Sequence, residues 1–220
     1  MNIFSKPLTA VLNENNYSIE NHLTVQNGAK ITGEKHLYYA NEWNGNYLYN
    51  IGKIKEHSYK KEKIIKSGEI YYLNDKDSFD TLKVERDGSL IIGSGEIFIK
   101  GLLQIDANSN ITFLNPGQRT IIHLDGKLIW HHYTAPDMDN TTYWFNVAKG
   151  FKLIQYSSET MYIEGKWGGT IIAPIARIVL GQSSKKIFGS FLGKDVIVHQ
   201  YSKLFHVKFN PVNQVQFVCK

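Results

Sequence analysis

The sequence predicts an all-β protein: a right-handed parallel β-helix with a less regular, β-rich N-terminal region. Three observations carry this. Short apolar clusters recur at even spacing in the C-terminal half. Turn dipeptides such as Asp87-Gly88 and Asp125-Gly126 punctuate the chain. Aromatic residues reach 13%, which suits strands better than helices. The spacing is clearest at Ile163, Ile171, Ile178, Ile187, Val196 and Leu204, with steps of 8, 7, 9, 9 and 8 residues. Strands this short and regular predict coils of three steps, roughly 22–27 residues each. Coils that pair with the coils above and below stack Ile, Val and Leu in inner columns, with glycines at the bends. The right-handed sense is that of parallel crossovers generally. A β-sandwich or jelly roll is the alternative, although it calls for longer strands with cleaner alternation.

Along the chain, residues 1–81 form the irregular N-terminal region, packed on the solenoid. His22 to Gly33 reads as two short strands around Asn27-Gly28, and Lys60 to Asp75 as strand, turn at Ser67-Gly68, strand. Asn-Gly favours a tight hairpin, so this part is expected to be antiparallel. Residues 82–220 form the solenoid core. Its bends fall at Asp87-Gly88, Ser94-Gly95, Asn108 to Asn110, Pro116-Gly117 and Asp125-Gly126. Residues 131–150 interrupt the pattern as an inserted loop. The best helix candidate is Ser78 to Gly88, and its β-branched content and turn weaken it.

The chain has 220 residues, 42% hydrophobic and 20% charged, which fits a folded domain with a sizeable core. Its net charge of +5 is compatible with an anionic partner. The densest basic run, Lys53 to Lys66, carries no nucleic-acid motif, so nucleic acid is not expected as a partner. The single cysteine, Cys219, excludes an internal disulfide. No 18-residue apolar run predicts a membrane span. The apolar patch in Met1 to Asn16 is too short for a signal-peptide core, so export would need a leader outside this sequence or an unconventional route.

The words "GTIIAPIARIVLG" (Gly169 to Gly181), "GSFLGKDVIVHQ" (Gly189 to Gln200) and "HVKF" (His206 to Phe209) resemble the end of the bacterial choice-of-anchor A surface domains and related β-helical domains. The resemblance is best over Trp167 to Phe209. It implies a β-helical structural or adhesive module, extracellular or at the cell surface, with no reaction attached. The sorting signal that would anchor such a domain to the wall does not follow Phe209. Ala173-Pro174 and Ala176 suit a tight corner. Gly181, Gly189 and Gly193 read as corner glycines, and Lys194 and His199 as solvent-facing.

Few residues point to chemistry. No G-x-S-x-G, H-E-x-x-H, P-loop or G-x-G-x-x-G motif occurs. Asp137-x-Asp139-x-Thr141 begins like a calcium loop but lacks its Gly and distal Glu. His131 and His132, adjacent on a strand, would point to opposite faces, so neither a metal nor a cofactor is expected. Flat Thr arrays for ice binding are missing. The segment that breaks the repeat, Leu128 to Asn146, carries the candidate ligand-binding residues: Trp130, His132, Tyr133, Asp137, Asp139, Tyr143 and Trp144. Exposed rings there would stack on sugar faces while Asp and Asn bond hydroxyls, and the other reading is that the rings cover an open core edge. A second aromatic cluster, Leu37 to Asn50, is expected to cap or flank the solenoid. The function expected is a non-enzymatic surface or extracellular structural or adhesive module, with itself or a cell-surface glycan as partner. The alternatives are a glycan-binding module using residues 128–146, or a polysaccharide-active enzyme on the same fold.

Overall fold

Parallel strands need a long connection between partners, and a coil supplies one by travelling once around a core. All strand pairs described in this chain are parallel. A computed structural model describes residues 23–25, 30–32, 51, 53–55, 57–131, 140–181, 186–199 and 202–212. It is a β-solenoid of about seven turns.

The strands in chain order are Leu23–Val25 (β1), Lys30–Thr32 (β2), Lys60–Ile65 (β3), Ile70–Leu73 (β4), Ser78–Val84 (β5), Ser89–Ile92 (β6), Gly95–Ile105 (β7), Asn110–Phe113 (β8), Thr120–Leu124 (β9) and Lys127–Trp130 (β10). The helix Thr141–Gly150 (α1) follows. Then come Phe151–Gln155 (β11), Met161–Ile163 (β12), Trp167–Leu180 (β13), Lys186–Val198 (β14) and Lys203–His206 (β15).

They build three faces. On the first face the start of β7 pairs β9, β9 pairs β11, and the first halves of β13 and β14 continue to β15 and β2. On the second, β3, β5, the end of β7, β10, β12 and the second halves of β13 and β14 run on to β1. The third face is a separate sheet of only three strands, β4, β6 and β8. Inward residues of successive coils stack in register. Leu82, Leu103 and Leu128 form one such column, and Ile97, Ile122, Leu153 and Ile171 another. All of these are almost wholly buried.

The third face ends because α1 takes its place. The Tyr143 hydroxyl accepts from the Phe113 backbone N–H at 2.7 Å, so the helix satisfies the free edge of β8 with a side chain. Trp144, Val147 and Ala148 turn inward and are buried. Asn140 caps the helix, its side chain accepting from the Tyr143 N–H at 2.8 Å. Gly168 makes room, since a Cβ there would stand 2.7 Å from the Trp144 carbonyl oxygen.

This substitution alters the expected coil. Ile163 pairs with Leu180, Ile171 with Phe191, Ile178 with Val196 and Ile187 with Leu204. The eight-residue rhythm therefore alternates between the first and second faces. Each late coil uses two steps rather than three and is shorter than expected.

Four further expectations change. Strand β3, from Lys60, already pairs with β5, so part of residues 1–81 belongs to the solenoid. The N-terminal strands are parallel rather than antiparallel: β1 pairs β14 and β2 pairs β15 across the solenoid, and β3 and β4 lie on different faces. The turn at Ser67-Gly68 is a corner, and Asn27-Gly28 lies outside the described residues. Gly68, Asp87 and Asn108, each with positive φ, stack coil on coil, the Gly68 N–H donating to the Asp87 carbonyl and the Asp87 N–H to the Asn108 carbonyl. Ser78 to Val84 is strand β5, because its alternating apolar residues fit inner columns; the helix lies instead within residues 131–150, expected to be a loop. Gly189 sits inside β14, opposite Gly169, where the two backbones touch. The Ala173 to Ala176 corner is as expected, marked by a shift of register between Ala173 and Arg177. Leu37 to Asn50 lies outside the described residues.

Glycine substitutions test this packing. A Cβ on Gly126 would overlap the Gly101 carbonyl, whereas one on Gly68 meets nothing within 4 Å. Gly126→Ala is expected to cost about 3 kcal/mol or more of unfolding free energy. Gly68→Ala, which only strains a positive φ, is expected to cost about 1 kcal/mol. Urea unfolding of the two variants checks the order.

Candidate functional site

Outward side chains of the first face come from the alternate positions of β7, β9 and β11. Phe98 of β7 is in register with His123 of β9, and His123 with Ile154 of β11. Coil stacking therefore builds a ladder of rings. His57 lies 3.7 Å from Phe98 between centroids. Phe98 stacks on His123 at 4.8 Å with an 8° tilt, and His123 faces Tyr156 at 5.9 Å.

A polar chain runs beside the ladder. Arg119 bonds Glu96, Glu96 Oε2 lies 3.9 Å from His123 Nε2, and His123 Nδ1 is 2.8 Å from the Tyr156 hydroxyl. The hydrogen bond from Arg119 holds the Glu96 carboxyl below its usual value, so it is ionised. Burial pushes His123 down, outweighing the attraction of Glu96 and helped by the nearby cations Lys55 and Arg119. Burial, with Glu96 adding to it, pushes Tyr156 up. His123 Nδ1 and the Tyr156 hydroxyl share one hydrogen bond, while Nε2 is turned toward Glu96. At 3.9 Å that last contact is too long for a hydrogen bond, and Nε2 is buried without one.

Lys152 stands on the same face, one strand further. Burial first, then Arg119, hold its amine below the usual value. Its Nζ sits 4.1 Å from the centre of the Phe209 ring. Phe209 belongs to a strap, residues 207–212, that crosses several coils: the N–H groups of Val207, Asn210 and Val212 donate to the carbonyls of Gly189, Lys149 and Gly117.

The residues expected to bind ligand are not gathered here. Trp130 is 1% exposed; its indole N–H donates to the Lys166 carbonyl at 3.0 Å, and its ring meets Trp167 edge-on. Trp144 is 2% exposed. Both fill the core, because a face without a third strand needs large rings to close it. Tyr143 is half-buried, with its hydroxyl committed to β8. His132, Tyr133, Asp137 and Asp139 lie outside the described residues. The sequence reading missed Glu96, Arg119, His123, Lys152 and Tyr156, which are far apart along the chain. Only the register of the coils brings them together.

Among the described residues, no group of three His, Cys, Asp or Glu could hold a metal ion, and no helix is long and apolar enough to cross a membrane. No protein family, curated protein or solved structure matches the chain.

Two expectations follow. His123 has a lower pKa folded than unfolded, so the unfolded chain binds more protons below the ordinary value of 6.5. Its contribution to stability is complete above that value and is lost as pH falls toward the folded one. The melting temperature should drop on acidification from about pH 7.5 to about pH 5.5, and His123→Phe should flatten part of that slope. Trp144→Ala should cost about 3–5 kcal/mol as a core truncation, measured by chemical unfolding. A well-folded variant that instead loses glycan binding would make Trp144 a contact residue.

Proposed function

We propose that this chain is a non-enzymatic structural and adhesive module, a stiff β-solenoid that works at a bacterial surface or outside the cell. The observation that carries this reading is the use of polar and charged side chains as ties between neighbouring coils. Lys60 reaches Asp77 at 3.0 Å, Arg119 reaches Glu96, His131 lies 3.3 Å from Glu164, and Arg177 reaches Asp195 at 3.3 Å. Each pair spans two coils. Exposed pairs contribute only about 0–1 kcal/mol each, so their main effect is to fix one coil on the next. The strap adds backbone ties along the axis, and β1 and β2 bring the N-terminal segment onto the last coils. The resemblance of Trp167 to Phe209 to the choice-of-anchor A domains supports the surface location.

Adhesion is favoured over self-assembly as the module's work. Among the described residues, β3 pairs only with β5. Its Lys60, Lys61 and Glu62 are exposed, and charges on such a strand discourage addition of another chain.

The test incubates the purified chain with insoluble and soluble polysaccharides, acidic and neutral. Retention on at least one of them without shortening of the polymer is the expected result. New reducing ends or unsaturated sugar ends would overturn the non-enzymatic reading.

A further inference from the structure

The outer face of the first sheet contains a cation and a hydroxyl that have no hydrogen-bonding partner among the described residues. Lys152 and Thr170 are register partners on β11 and β13, so their side chains share a face. Leu153 and Ile171, the next pair, point inward and are wholly buried, which places Lys152 and Thr170 on the outside. Thr170 is only 6% exposed, yet its hydroxyl has no hydrogen-bond partner. Buried hydroxyls are seldom left so, because the lost hydration is not recovered. Lys152 meets no carboxylate among the described residues. Its contact is the Phe209 ring at 4.1 Å, which leaves its charge uncompensated. Arg119 stands near enough to oppose that charge, and the one carboxylate bonded there, Glu96, is already held by Arg119. A half-buried cation beside a buried unpartnered hydroxyl matches a singly charged oxyanion, which would take a bond from each.

We propose that Lys152 and Thr170 form a binding site for the carboxylate of an acidic glycan, with the Phe209 ring beside Lys152 as a surface for the sugar. A sulfate ester offers the same oxyanion chemistry and is the other source. The proposal rests on the adhesive reading above and moves the contact from residues 128–146 to the first face. It also explains the strap, which places Phe209 over Lys152.

The test is isothermal titration calorimetry of the full chain with three probes: a galacturonate oligosaccharide, a sulfated oligosaccharide and a neutral oligosaccharide of equal length. Two variants accompany the unaltered chain, Lys152→Gln and Thr170→Val. The expected result is binding of the galacturonate oligomer and not of the neutral one. Lys152→Gln should weaken it about tenfold or more, and Thr170→Val severalfold, as loss of a charge-assisted and a neutral hydrogen bond would. Thr170→Val removes a hydroxyl the fold does not use, so its melting temperature should not fall; this separates lost binding from lost folding. Binding of the sulfated probe alone, with the same sensitivity to both variants, would keep the site and assign its anion to sulfate. Binding that neither variant changes, or no binding of either acidic probe, would overturn the proposal. Neutral-glycan adhesion under those conditions would leave the adhesive reading standing, whereas cleavage of a bound acidic probe would sink that reading and keep the site.

Discussion

Parallel register between successive coils is the constraint on which everything else in this protein depends. A single coil cannot satisfy its own backbone, because its N–H and C=O groups point along the axis toward its neighbours. Once coils pair in register, each side-chain position becomes a column. Leu82, Leu103 and Leu128 must then be alike, because they sit on one another, and the corners must stack as the strands do. Positive-φ residues therefore align at Gly68, Asp87 and Asn108. Glycine is needed where backbones touch, as at Gly126 over Gly101 and Gly189 over Gly169.

The helix α1 shows how far this constraint can be relaxed. Coils with three strands enclose a triangular core, but the third sheet stops at β8. Closing the remaining coils needs another element that is apolar on one side and able to satisfy the edge left behind. Trp144, Val147 and Ala148 meet the first need, and the Tyr143 hydroxyl on Phe113 meets the second. Freed from a third strand, β13 and β14 run long and bend once, at the small residues Ala173 and Gly193, which face each other in register. The rings of Trp130 and Trp144 thus do their work inside the molecule.

The same stacking acts on the outside. Residues far apart in the chain, such as Glu96, His123 and Tyr156, become neighbours because each lies about one coil from the next. Stacking sets rings face to face, and it sets charges side by side whether or not they are complementary. Arg119 and Glu96 are complementary and pair. Lys152 and Arg119 are not, and the burial of Lys152 under Phe209 sharpens the mismatch. Such a mismatch is tolerable on the outer surface of the stack, where it costs the inner columns nothing.

Local rules alone made much of this legible. The eight-residue rhythm from Ile163 to Leu204, the turn residues at Ser67-Gly68, Asp87-Gly88 and Asn108, and the Ala173 to Ala176 corner all follow from side-chain period and backbone preference, so they identify stacked strands and their bends, although β13 and β14 each join two steps into one long strand. Helix α1 left a fainter mark: Asn140 as a cap, then apolar Trp144, Val147 and Ala148 at helical spacing, obscured by Thr and aromatic residues that favour strands. What the sequence by itself determined was the solenoid and the places where it turns. Which strand lies on which face, that late coils take two steps and not three, that Trp130 and Trp144 are core, and that Lys152 and Thr170 meet on one surface were decided only by the tertiary structure. The reason is physical: periodicity constrains each residue against its near neighbours in the chain, whereas register between coils is set by contacts one full turn away, across insertions of variable length.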